Sequence, residues 1–195
     1  YGAPVSVHPM WRRKANVTVR DMDRIVAELN LRVMHVRRLL DAAEITQDLD
    51  VPRLDIEDYG DPERVAGLLR AHWKGRRGPI RDLTALVEHA GVVVVHSLLG
   101  GTAVSGVTFA VPGMPPLIGL NEEQPADRLR FTLAHELGHL VMHRFPTPHM
   151  DEEANAFAGA FLMPAEDIRS DFIGRRIDMA LLASLKPEWN VAMQS

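Results

Sequence analysis

Apolar residues fall at helical spacing from about Val17 onward. Met22, Ile25, Val26, Leu29, Val33, Val36 and Leu40 recur at intervals of three and four over about five turns. This stripe predicts an amphipathic helix lying on the rest of the chain; a dimer or interdomain helix would carry the same stripe. Before it, residues 1–16 hold two prolines and the basic run Arg12-Arg13-Lys14, and read as irregular. After it, residues 46–60 are acidic and turn-rich, ending in Asp58-Tyr59-Gly60, and mark the best boundary. Asp61-Pro62-Glu63 has the order of a helix start: Asp as N-cap, Pro at the first position, Glu in the first turn. That helix is expected to reach about Trp73. The run Lys74–Gly78 reads as a solvated turn rather than a phosphate site. Pro79 is expected to open a further helix, with Leu83, Leu86 and Val87 inward and Gly91 closing it.

The period then changes. Val92–Val95 is a short unbroken apolar run, the mark of a buried strand. Gly100-Gly101 reads as a turn, Val104–Val111 as a second strand and Leu117–Leu120 as a third, with Pro112-Gly113 and Pro115-Pro116 between the last two. Helical spacing returns from Pro125 to about His143 and from about Asp151 to Met163, where Pro164 ends or kinks it. Weaker helices are expected near 165–173 and 178–185. The mixture predicts an α+β fold: a small, mostly antiparallel sheet packed on a long helix, with a helical N-terminal extension. The expected division is 1–60 for the extension and 61–195 for the main domain.

Composition narrows the functional classes. The 195 residues are 46% apolar and 25% charged, ordinary for a globular chain. A net charge of −4 argues against nucleic-acid binding through this fragment. With no cysteine, disulfides and thiolate metal sites are excluded, which fits a cytoplasmic protein. No apolar run approaches the roughly 20 residues of a membrane helix, so no membrane partner is expected. No signal peptide is visible, and the chain starts at Tyr1 rather than Met, as a fragment or processed product would.

The candidate chemistry lies on the 125–143 helix, in His135-Glu136-Leu137-Gly138-His139. Residues four apart project from one helix face, about one turn apart, so two imidazoles can share one Zn²⁺. Glu136 is rotated about 100° from His135 and stands beside such an ion rather than on it. There it can act as general base toward a water held by the metal, and later as acid to the leaving amine. Phe131, Leu133, Ala134, Leu137, Leu140 and Val141 supply apolar surface for packing. Gly138 costs about 1 kcal/mol of helix propensity against alanine, which points to close approach of another backbone.

A catalytic zinc needs a third protein ligand and an open position. The extended pattern with a later Gly and His fails, because Met142 and Phe145 occupy those places. The segment Asp151-Glu152-Glu153-Ala154-Asn155 offers carboxylates, although acids at a helix start also suit the helix dipole. Asp151 shares a face with Ala154, Asn155 and Ala158, whereas Glu153 shares one with Phe157, Ala160 and Phe161. Asp151 is therefore the favoured ligand and Glu153 the alternative. Glu152, His143 and His149 stay open behind them. Asn155, one turn from Asp151, could support it.

The strings RFTLAHELGHLVMH and DEEANAFAGAFLMP together resemble the ImmA/IrrE family of zinc metallopeptidases. The resemblance covers about 61–195, including Asp61-Pro62-Glu63, Gly78-Pro79-Ile80 and Trp189-Asn190-Val191. It implies a zincin-like, gluzincin-like fold, zinc on His135 and His139, Glu136 as catalytic base and an acidic third ligand from the second helix. The commoner spelling has Glu where this chain has Asp151. The family implies a bacterial or phage source and cleavage of a helix-turn-helix transcriptional repressor. Many longer members carry an Xre-type helix-turn-helix upstream, so DNA binding is expected only through such a missing domain.

Other residues read as structural. His72, His89 and His96 are expected to be structural or exposed, and Trp73 and Trp189 to be core. Neither Tyr1 nor Tyr59 falls near the motif; His143 or His149 could instead stabilise an oxyanion. The 104–111 strand is expected to border the cleft and take substrate as an added strand. The primary expectation is a zinc metalloendopeptidase acting on a repressor. The rivals are a non-catalytic zinc-binding module that docks a partner through the 17–45 helix, and a latent peptidase.

Overall fold

The computed structural model describes residues 18–43, 47–74, 77–99 and 104–190. The expected irregular stretch 1–16 and the Gly100-Gly101 turn lie outside them. Eleven elements follow in the order α1 (Val19–Ala42), α2 (Ile56–Tyr59), α3 (Pro62–His72), α4 (Leu83–His89), β1 (Val93–Ser97), β2 (Gly106–Phe109), β3 (Leu117–Asn121), α5 (Ala126–Met142), α6 (Met150–Leu162), α7 (Ala165–Phe172) and α8 (Met179–Trp189) among the described residues. The class is α+β, with a small sheet flanked by helices and a helix before the sheet. Contacts divide the chain into two compact units, each discontinuous in sequence: Tyr1–Val51 with Thr84–Pro125, and Pro52–Leu83 with Ala126–Ser195.

The first unit is built on α1. Its start is a capping box: Asp21 N–H donates to Thr18 Oγ1 (3.2 Å) and Thr18 N–H donates to Asp21 Oδ2 (3.1 Å). The predicted stripe is the buried one. Ile25, Leu29, Val33 and Val36 form one core with Leu99, Val104, Val107, Phe109, Val111 and Leu117, and Met22 and Leu40 pack half-buried beside it. The reading of a helix packed on the rest of the chain therefore holds. Arg32 Nε donates to Ser97 Oγ (2.9 Å) and pins α1 to the end of β1.

The sheet order is β1-β3-β2. β3 pairs in parallel with β1, Val93 opposite Leu117, and antiparallel with β2, Phe109 opposite Leu117. The turn-rich 110–116 link lets β2 and β3 pair as consecutive antiparallel strands. The chain reaches β2 at the far edge first, which leaves the central slot beside β1 to β3. β3 in the centre and β2 at one edge are both buried from end to end, whereas β1 is mostly half-buried. Gly119 sits at the middle of β3. A Cβ there would lie 3.1 Å from Val107 Cγ1 and 3.3 Å from Leu29 Cδ2, so the glycine lets strand and helix side chains close over β3.

The second unit holds α5 and α6. Asp61 caps α3 as predicted, its Oδ1 accepting from Glu63 N–H (3.0 Å), with Pro62 at the first turn. Arg70, on α3, donates to Phe161 O (2.9 Å) and Gly78 O (2.7 Å), and lies 3.7 Å from Asp167, which accepts from Gly78 N–H (2.7 Å). Trp73 meets Phe161 edge-on with ring centroids 5.9 Å apart. Trp189 packs with Leu181 and Leu185, so both tryptophans are core.

Two helix bounds differ from expectation. α4 starts at Leu83 rather than Pro79. The Ile80 carbonyl, which a helix would use internally, accepts instead from the Arg130 guanidinium. α8 runs past 185 through Pro187 to Trp189, closed by Asn190 at φ +50°. Proline is tolerated there because the missing N–H costs only one hydrogen bond near the helix end.

Gly138 explains how α5 and α6 pack. A Cβ on it would come within 2.9 Å of Phe157 Cδ1 and 3.5 Å of Ala154 Cα. The glycine predicted to mark a close backbone approach faces α6 in that way.

Candidate metal centre

On α5 every residue from Thr132 to His139 is buried, and so are Val141, Met142 and His143. Buried polar groups require partners, and the imidazoles here supply them to one another and to α6. His135 and His139, four apart, turn their Nε2 atoms together at 3.0 Å. The first turn of α6 brings Asp151 Oδ1 to 3.5 Å from His139 Nε2 and 3.8 Å from His135 Nε2. All three ligand atoms lie within 4.8 Å of one another.

The donor set fits a divalent cation. Asn155 Oδ1 lies 2.9 Å from His135 Nδ1. An amide oxygen accepts, so Nδ1 carries the proton and the Nε2 lone pair faces His139 and the carboxylate. Donor atoms at about 2.0–2.1 Å from one ion in a tetrahedral array sit roughly 3.3 Å apart. The observed separations of 3.0, 3.5 and 3.8 Å bracket that value. Two imidazoles and one carboxylate leave a fourth tetrahedral position open.

Beyond this cluster, His139 Nδ1 lies 3.0 Å from His143 Nδ1, and His143 Nε2 lies 2.9 Å from Glu153 Oε2. Burial, reinforced by the neighbouring His139, holds the His143 imidazole below its ordinary pKa; the Glu153 hydrogen bond, its charge and that of Asp55 pull the other way. Arg53 donates to His143 O (3.0 Å), satisfying a carbonyl at the end of α5.

The structure therefore sorts the candidates. Asp151 joins His135 and His139, and Glu153 turns to His143. Asn155 touches His135 rather than supporting Asp151. Glu152 is exposed, 3.5 Å from an exposed His149. Glu136 is buried at 4% exposure, one residue on from His135. His72, His89 and His96 are exposed. The pairing of His143 with Glu153 escaped the sequence reading. The spacing 135, 139, 143 places His143 on the face of the other two, but nothing in it points to Glu153.

Among the described residues no helix is long and apolar enough to cross a membrane. A search of curated proteins finds no match to the chain. The family model described as the IrrE N-terminal-like domain, a peptidase family, matches residues 87–195, a stretch that contains the sheet, α5, α6 and the whole His-His-Asp cluster. By that match the chain belongs to the ImmA/IrrE family of peptidases.

Proposed function

We propose that the protein is a zinc-dependent metalloendopeptidase that cuts a protein substrate in the cytoplasm, the substrate being a helix-turn-helix transcriptional repressor. The observation that carries this is the convergence of His135, His139 and Asp151 on one point, with the buried Glu136 next in sequence to His135. A purely structural site would have no use for that carboxylate. The repressor substrate and the gene-regulatory setting follow from the family resemblance.

His135, His139 and Asp151 would hold Zn²⁺. A bound zinc supplies Lewis-acid chemistry: it makes water a nucleophile near neutral pH and polarises the scissile carbonyl. The chain supplies the proton traffic. As water oxygen attacks the carbonyl carbon, the Glu136 carboxylate takes a proton from it. As the C–N bond breaks, Glu136 returns that proton to the leaving amine nitrogen. Burial keeps Glu136 from bulk water, where the proton would otherwise be lost to solvent. Asn155 holds the His135 ring with its Nε2 lone pair inward.

The test pairs metal analysis with cleavage of the repressor encoded beside this gene, for wild type and Glu136→Gln. Stoichiometric zinc, with cleavage abolished by the substitution, is expected. Cleavage that survives Glu136→Gln would rule out the mechanism, and a chain that takes up no zinc at neutral pH would rule out the metal. Zinc uptake without cleavage of any repressor would favour the rival, a latent or regulatory module; the exposed Leu31, Met34 and Leu39 on α1 are the surface such a module would use.

A further inference from the structure

Three histidines at four-residue intervals place their rings along one face of α5, but only two of them reach Asp151. The third, His143, is buried at 1% exposure, and each of its ring nitrogens has one near partner: His139 Nδ1 at 3.0 Å and Glu153 Oε2 at 2.9 Å. A carboxylate oxygen accepts, so His143 Nε2 donates to Glu153. A neutral imidazole then has a bare Nδ1, which can only accept. The atom facing it, His139 Nδ1, must therefore carry a proton. With its proton on Nδ1, His139 has a lone pair on Nε2, and Nε2 is the atom that meets His135 and Asp151.

We propose that His143 and Glu153 are positioning residues that fix the His139 tautomer and ring orientation, presenting Nε2 as a ligand. The direction of donation runs from His139 Nδ1 to His143 Nδ1, and from His143 Nε2 to Glu153. Asn155 does the equivalent for His135 in a single step, its oxygen 2.9 Å from Nδ1. The two ligand histidines are thus oriented by different devices, an amide on one and an imidazole–carboxylate pair on the other. Glu153 therefore acts on His139 only through His143. The proposal rests on the metallopeptidase reading for the identity of the ion, and not for the hydrogen-bond line itself.

Zinc affinity is measured on the full chain by competition with a chromophoric chelator, beside the melting temperature of each metal-free variant. His143→Leu removes the acceptor for His139 Nδ1 and is expected to weaken zinc binding about 10–100-fold. His143→Asn places an amide oxygen near the lost Nδ1 and is expected to recover part of that loss. A merely structural role predicts instead that affinity tracks the fall in melting temperature, with no recovery in the Asn variant. Imidazole ¹⁵N spectra of the metal-free wild type give the second readout: His143 neutral with its proton on Nε2, His139 with its proton on Nδ1. Wild-type affinity in His143→Leu, or a proton on His143 Nδ1, overturns the proposal. If His143→Leu does not fold, the spectra and the His143→Asn affinity decide it. If wild type takes up no zinc, the metallopeptidase reading fails, while the spectra still decide the hydrogen-bond line.

Discussion

Helices α1 and α5 answer to different rules. α1 is longer, yet it buries one stripe, Ile25, Leu29, Val33 and Val36, and leaves Leu31, Met34 and Leu39 exposed. α5 buries eight consecutive residues, among them two histidines and a glutamate, and a third buried histidine, His143, follows its last residue. Desolvating a polar group without a partner costs several kcal/mol on alkane scales and about 1–3 in proteins. A helix buried all round therefore accepts imidazoles only where something answers each ring nitrogen. Two of the answers come from α6: Asn155 at His135 Nδ1 and Glu153 at His143 Nε2. α1 is a helix whose burial serves stability; α5 is one whose burial serves a site.

The largest expected effect tests that contrast at Glu136. Glu136→Gln keeps the shape and removes the proposed base, so cleavage of the proposed repressor substrate should fall by about 10²–10⁴-fold, the usual contribution of general acid–base catalysis. The same variant should melt no lower than wild type and bind zinc as tightly. A clear loss of stability would show that Glu136 belongs to the core in the way Leu29 does, and the contrast would break.

Leu29→Ala is the counterpart on α1. Leu29 is fully buried, and its Cδ2 reaches the space above Gly119. Truncation should cost about 2–5 kcal/mol in denaturant unfolding. Zinc binding by the folded fraction should not change. A loss of zinc affinity at equal folded fraction would show that the α1 core is not confined to stability.

These two positions also show what the sequence could and could not tell. The α1 stripe was legible because one-sided burial leaves a period of 3.6 in the pattern. The meeting of His135 with His139 was legible because residues four apart share a helix face. The carboxylate that joins them was harder, since Asp151, Glu152 and Glu153 all suit a helix start. Face-sharing with small residues favoured Asp151, and the structure brings Asp151 to the histidines. The His143–Glu153 pair was not legible, because it depends on how α6 lies against α5, a tertiary fact. The parallel pairing of β1 with β3 was hidden for the same reason: strand order is not written in strand pattern.

Gly138→Ala probes the close approach that puts α6 there. Helix propensity alone favours alanine by about 1 kcal/mol. The new Cβ would lie 2.9 Å from Cδ1 and 3.2 Å from Cγ of Phe157, whose ring stacks on Phe161 at 5.4 Å and cannot swing aside freely. Overpacking of this kind costs about 1–3 kcal/mol. The expected balance is a net loss of about 1–2 kcal/mol with weaker zinc binding, because a shift of α6 moves Asp151. Stabilisation by alanine would mean that the helix contact has slack and that Asp151 is not held by it.

The smallest effect belongs to the start of α1. Thr18→Ala removes the side chain that accepts from Asp21 N–H and should cost about 1 kcal/mol, as N-cap losses do. The cap has a pH signature. The Thr18 side-chain hydrogen bond, with its backbone N–H, holds the Asp21 carboxyl below its ordinary value of 3.8. A depressed carboxylate contributes stability above the unfolded value and loses it as pH falls through the lower folded one. The gap between wild type and Thr18→Ala should thus be constant from neutrality down to about pH 5, then narrow in stronger acid. A gap unchanged below pH 3 would show that Thr18 caps without the reciprocal bond to Asp21. Zinc binding and cleavage should not follow the gap at any pH where the chain is folded, since at α1 the polar end group serves only the helix.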